Sequence, residues 1–224
     1  MIPATIHQLW VDPHDTLRQT APVPADIVVN STAWQELHPD FVYRLWSLDN
    51  ILSMTKLYDR PEVYAGIRAC RFPAMQADII RLFLLEMVGG FWIDLKLCPR
   101  KSFLGALVND ELVVTEHFPK DNLPQPNGFL SNSFLGARPG HPKISQALDI
   151  ALRNVRQRMT GSIFYVTGAP VLIEAIRNLP HQTYRMLDHH LAWNELFSIS
   201  GGSYNDNGQH WSQRQDQEPA FNSL

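Results

Sequence analysis

The sequence predicts an α/β domain, a mixed sheet flanked by helices, and three observations carry this reading. Short apolar stretches of two-residue alternation recur between stretches of helical period. The strongest helical pattern, "PAMQADIIRLFLLEMVGG", runs straight into a glycine-bounded apolar strand, "FWIDLKL". The 224 residues, 45% hydrophobic and 18% charged, suit one globular domain. A chain of this size buries about seventy per cent of its unfolded surface and folds without a disulfide or metal staple.

Residues 4–10, "ATIHQLW", read as a first strand ended by Asp12-Pro13. Residues 24–40 read as a helix, with Asp26 in the acid-favouring first turn and Pro39 as the stop. The aromatic alternation of 41–46 predicts a second strand, after which Asp49 can cap a helix over Asn50 to Leu57. Within the strong helix, Met75, Ile79, Leu82, Phe83 and Met87 recur at helical spacing, and Gly89-Gly90 offer a left-handed C-cap. Residues 91–97 form a buried-strand pattern, 111–117 another, and 131–137 a further short strand. Between the last two lies a Pro/Asn-rich loop, 119–128. Residues 142–159 are amphipathic, with arginines gathered where the helix dipole favours cations, and 169–179 read as the last helix. The boundaries expected are a domain over 1–200 and a polar tail or lid over 201–224.

A net charge of −3 argues against a nucleic-acid partner, which leaves a basic footprint. Cys70 and Cys98 are not spaced as a CxxC pair; they suit a reducing compartment, although one disulfide remains open. The first ten residues lack the pattern of a signal peptide, and no apolar run reaches the ~20 residues of a membrane span. A cytoplasmic protein with at most peripheral membrane association is expected.

If 91–97 is one strand, its period of two puts Asp94 and Lys96 on one face, roughly 7 Å apart, a spacing that brackets a phosphate or metal. Taken by itself, such a pair is more often a solvated strand end or a structural ion pair. Asp78 and Arg81, three apart on the preceding helix, read as an ordinary intrahelical pair. His7 and Trp10 close the first strand, where the indole either stacks on a planar base or fills the core. Asn132, Arg138 and His141 share a turn-rich stretch, "VTGAP" (166–170) can open a helix toward an anion, and His210-Trp211 stand out in a polar tail. No GxGxxG, GxxxxGK[ST], HExxH or GxSxG occurs, nor any zinc spacing.

Taken in order, "IPATIHQLW", "AWQELHPDFVYRLWSLDN", "ADIIRLFLLEMVGGFWIDLKLCP", "NSFLGARPGHP" and "VTGAP" resemble glycosyltransferase family 32, the DXD-region sugar transferases. The resemblance spans roughly residues 2–170 and is densest over 74–104. It implies a GT-A-like, Rossmann-like sheet. It also implies retaining transfer of a sugar from a UDP- or GDP-sugar to a glycan or lipid-linked acceptor, as in capsular-polysaccharide or lipopolysaccharide synthesis. By position, Asp94 matches the first acid of D-x-D, and Asp78 and Arg81 would hold the donor sugar and its phosphates. Trp10 would flank the base, with His7 and Asn132 in the nucleotide-sugar site. Gly89 and Gly90 would let the backbone pass close to the ligand. His210 and Trp211 would meet the diphosphate from the C-terminal side.

The departure is Lys96, where the family's second acid binds Mn²⁺ or Mg²⁺ to neutralise the leaving diphosphate. An ammonium supplies that charge directly. Three readings follow: a metal-independent enzyme with Lys96 as substitute, a metal held by Asp94 and His210, or a catalytically inactive nucleotide-sugar-binding homologue. The first is preferred.

Overall fold

A computed structural model describes residues 1–12, 22–117, 130–177, 179–180, 183–200, 202 and 210–223. The chain runs through β1 (Thr5–Trp10), α1 (Ala25–Leu37), β2 (Val42–Ser47), α2 (Leu48–Leu57), α3 (Pro61–Ala69) and α4 (Pro73–Met87). It continues through β3 (Gly90–Ile93), β4 (Leu97–Pro99), β5 (Leu112–Glu116), β6 (Leu130–Ala137), α5 (Pro142–Arg156), α6 (Ile163–Val166) and α7 (Ala169–Ile176). Then come β7 (Arg185–Leu187), a π-helical turn (Leu191–Leu196), β8 (Phe197–Ile199) and α8 (Trp211–Arg214).

Among the described residues one sheet has the order β2-β1-β3-β6-β5-β7, with β6 antiparallel to both its neighbours and the other pairings parallel. β4 and β8 form a separate antiparallel ribbon. Strand alternation divides the apolar residues between two cores. Trp92, Leu135, Leu112 and Val114 face the layer of α4, α5 and α7. Phe91, Ile93, Phe134 and Val113 face Trp34 of α1 and the π-turn. Because β6 alone is reversed, its beginning lies beside the C-terminal ends of β1, β3 and β5. All four strands therefore point functional side chains at one rim.

Several boundaries differ from expectation. Residues 91–97 are not one strand: the chain leaves the sheet after Ile93 and turns, with Leu97 N–H donating to the Asp94 carbonyl at 2.9 Å. Asp94 and Lys96 therefore do not share a strand face. Ser47, not Asp49, caps α2, in a reciprocal box with Asn50. The helix 61–69 and the three-residue strands β7 and β8 are additional, too short for periodicity to announce. The expected loop 119–128 lies outside the described residues. In the tail, 210–223 packs on the body: Phe221 bridges Cys70, and Glu218 pairs with Arg71. Both cysteines are free, and among the described residues no helix is long and apolar enough to cross a membrane.

His7 is a latch of this fold. Its Nδ1 accepts from Trp46 Nε1–H at 3.0 Å, which leaves Nε2–H to donate to the Gly89 carbonyl at 2.8 Å. Gly90, at φ +103°, passes so close that a Cβ there would lie 2.8 Å from His7 Nε2 and from the Thr5 carbonyl oxygen. Burial, partly offset by the Gly89 bond, pulls the imidazole pKa down to about 4. The neutral form is thus bound into the fold. As pH falls below 6.5 the unfolded chain takes up a proton first, and stability drops until about pH 4. That loss is expected to be about 3 kcal/mol. Chemical denaturation at pH 7, 6, 5 and 4 should show it, and His7→Gln should remove His7's share of the slope.

Candidate active site

A cavity of about 330 Å³ opens at the rim. Strand β3 delivers its floor. Asp94 keeps one ladder bond, its N–H donating to the Ser133 carbonyl at 2.8 Å. It lies two residues beyond Trp92, on the same strand face, and Trp92 Nε1–H donates to its Oδ1 at 2.9 Å.

Helix α4 supplies the second layer. Arg81 is 4% exposed and makes a fork: Nη1 donates to Asp78 Oδ1 at 2.6 Å, and Nη2 to Asp94 Oδ1 at 3.0 Å. Its guanidinium also lies over the Trp92 ring, 5.1 Å from the centroid. Asp78 is held on both oxygens, by Asn132 Nδ2 at 2.8 Å and by Thr167 Oγ1 at 3.0 Å in addition to Arg81. Burial nonetheless pushes the Asp78 carboxyl above its usual pKa, with the Arg81 charge and these bonds opposing. The expected intrahelical ion pair is therefore the centre of a buried network that fixes Asp94. Thr167, from the "VTGAP" stretch, was not singled out for this role; its partner lies 89 residues away in sequence.

The turn carrying Lys96 is held by its backbone. The Leu95 carbonyl accepts from Asn30 Nδ2 at 3.1 Å, that of Lys96 from Ser200 N–H at 2.8 Å, and that of Leu97 from Trp34 Nε1–H at 2.8 Å. Asn30 and Trp34 are one turn apart on α1, so a single helix face grips the turn. These four-residue-spaced anchors escaped sequence reasoning, since an Asn and a Trp within a helix carry no distinctive signal.

Trp10, Asp78, Arg81, Asp94, Lys96 and Asn132 all line the cavity, as do His210 and Trp211 at the start of α8. His210 Nδ1 accepts from Ser212 N–H at 3.3 Å, and burial together with the Lys96 cation lowers its pKa. His7, Gly89 and Gly90 lie elsewhere. The close approach at the glycines is to Pro139, Ala137, His7 and Thr5 of the protein itself.

Among the described residues the side chains do not by themselves assemble a divalent-cation site. Asp94 Oδ1 already accepts two hydrogen bonds, and Lys96 cannot ligate. Among the described residues no group of three His, Cys, Asp or Glu could hold an ion. What the arrangement offers is a fixed carboxylate for hydroxyls, with cationic Arg81 and Lys96 for an anion, under aromatic walls.

Residues 24–119 match the family described as a glycosyltransferase sugar-binding region containing a DXD motif. The match takes in less than half of the chain, which over that stretch is similar to this family. Mannosyl phosphorylinositol ceramide synthase CSH1 of Saccharomyces cerevisiae is 26% identical over 217 residues, covering 91% of this chain and 52% of that protein. Inositol phosphoceramide mannosyltransferase 3 of Schizosaccharomyces pombe is 27% identical over 148 residues, covering 66% and 36%. The chain thus spans about half the length of the first relative and about a third of the second. PaToxG glycosyltransferase superposes with a TM-score of 0.58 at 15% identity, covering 80% of this chain and 71% of that one. The UDP-bound glycosyltransferase domain of the YGT toxin superposes with a TM-score of 0.53 at 10% identity, covering 89% and 83%. These last two likenesses are of fold, and the sheet is the GT-A-like one expected from the sequence.

Proposed function

We propose that the chain is a retaining hexosyltransferase that moves a sugar from a nucleotide-sugar donor to a glycolipid acceptor. The single observation behind this is the Asp78–Arg81–Asp94 network, which holds the Asp94 carboxylate at the floor of a cavity whose lining also brings Lys96, Arg214 and several aromatic rings. Asp94 orients the sugar hydroxyls. Arg81 and Lys96 stabilise the diphosphate as the anomeric C–O bond breaks and its electron pair stays on the leaving oxygen. The acceptor hydroxyl adds to the same face of the oxocarbenium-like sugar, and its proton passes to a diphosphate oxygen. No step is routed through a metal ion.

The UDP of the toxin domain supports a nucleotide donor, and the relatives' names, with their inositol phosphoceramide and mannosyl terms, favour a mannosyl donor and a lipid acceptor. They weigh against the expected capsular or lipopolysaccharide role. A panel of UDP- and GDP-sugars incubated with the protein should identify a donor by released nucleotide. Asp94→Asn should lower that release by about 100-fold. Donor binding without release, even with acceptors present, would instead make this a non-catalytic nucleotide-sugar-binding protein.

A further inference from the structure

The polar network occupies only part of the cavity wall. From the opposite face of the sheet, the C-terminal end of β5 and the π-turn bring His117 and Trp193 to the same space, beside Leu130 and Ile199. Trp193 is fixed rather than loosely packed. Its Nε1–H donates to the Glu116 carbonyl at 2.8 Å, and its ring stands edge-on to Phe197 with centroids 5.1 Å apart. The His117 ring lies 6.3 Å from it. A π-helical turn is rare and is frequent at functional sites, which fits an element kept for where it puts one side chain.

We infer that this wall is the acceptor subsite and that it takes a cyclic polyol, a sugar or an inositol ring, against Trp193 and His117. The inference rests on the transferase reading above. A transferase must hold two hydroxyl-rich rings in one cavity, and each has to be recognised differently. The carboxylate and cations of α4 and β3 suit the sugar diphosphate. The wall around Trp193 is apolar and aromatic, and a polyol ring carries an apolar face of C–H groups that packs on an indole while its hydroxyls point outward. The Ser131 and Ser133 hydroxyls, 2.6 Å apart and also lining the cavity, are placed to meet such hydroxyls.

The test uses the intact chain with methyl α-mannoside and myo-inositol as separate probes, so that a sugar and a cyclitol acceptor are distinguished. Nucleotide release is followed as each probe is titrated, and probe binding is read independently by saturation-transfer NMR. Trp193→Ala should raise the concentration of the effective probe needed for half-maximal response by about tenfold or more. It should leave probe-free release and donor KM within about twofold, and Trp193→Phe should fall between. Should Trp193→Ala unfold, His117→Ala and Trp193→Phe carry the test. A probe response unchanged in these variants, or a donor KM that shifts as much, overturns the subsite. So does wild-type protein that releases nucleotide yet neither binds nor responds to either polyol, an outcome that leaves the transferase reading standing. Wild-type protein that releases no nucleotide from any donor sinks the transferase reading, and the subsite with it.

Discussion

Arg81→Ala is expected to lose nucleotide release by at least about 100-fold and to unfold roughly 10 °C below the wild type. The reason is the double duty of one guanidinium. It is nearly inaccessible to water, and it is the cation shared by Asp78 and Asp94. Removing it leaves the Asp78 carboxyl buried among Asn132 and Thr167 with no countercharge, and stranding a buried charge costs about 3–5 kcal/mol. At the same time Asp94 loses the bond that, with Trp92, fixes its orientation. Arg81→Lys should not restore activity, because a single ammonium cannot reproduce the fork to two carboxylates. Adding Asp78→Asn to Arg81→Ala should recover part of the stability and none of the turnover. Thermal unfolding beside nucleotide release separates the two effects. A variant with wild-type melting would show that Asp78 is not stranded as described.

Lys96→Met is expected to do the reverse: an unchanged melting temperature with kcat lowered by about 100- to 1,000-fold. The side chain is partly exposed, while the turn that bears it is secured through the carbonyls of Leu95, Lys96 and Leu97, which the substitution leaves intact. Donor KM should move far less than kcat, since charge builds on the diphosphate as the bond breaks. A fall in kcat/KM carried entirely by a raised KM, with kcat unchanged, would mean that Lys96 only helps to bind the donor.

The contrast between these two residues shows what could be read from the chain. The period of the apolar residues was enough for five of the six strands of the main sheet and for α4, because burial on two faces leaves a strong local imprint. It also placed Asp94 at a strand end. It extended that strand four residues too far, because what ends it is not local. The turn exists through Asn30, Trp34 and Ser200, respectively 65, 63 and 104 residues from the carbonyls that they satisfy. Asp78 and Arg81 looked like an ordinary intrahelical pair for a related reason. Their spacing states that they meet, but burial comes from Trp92, Asn132 and Thr167 on other elements. His7 was ambiguous because β1 is covered on both faces, so alternation does not tell a ligand-facing imidazole from a core one. Trp193 and His117 gave no signal at all; an isolated aromatic gains meaning only when a cavity forms beside it.

The central claim is that Asp94, Arg81 and Lys96 cleave a nucleotide sugar with the positive charge supplied by side chains. The direct measurement is nucleotide release from the donor found in the panel, by wild type and Lys96→Met, with EDTA and with added Mn²⁺. Release by the wild type that persists in EDTA and collapses in Lys96→Met is the expected result. Release that requires Mn²⁺ and is indifferent to Lys96 would contradict it.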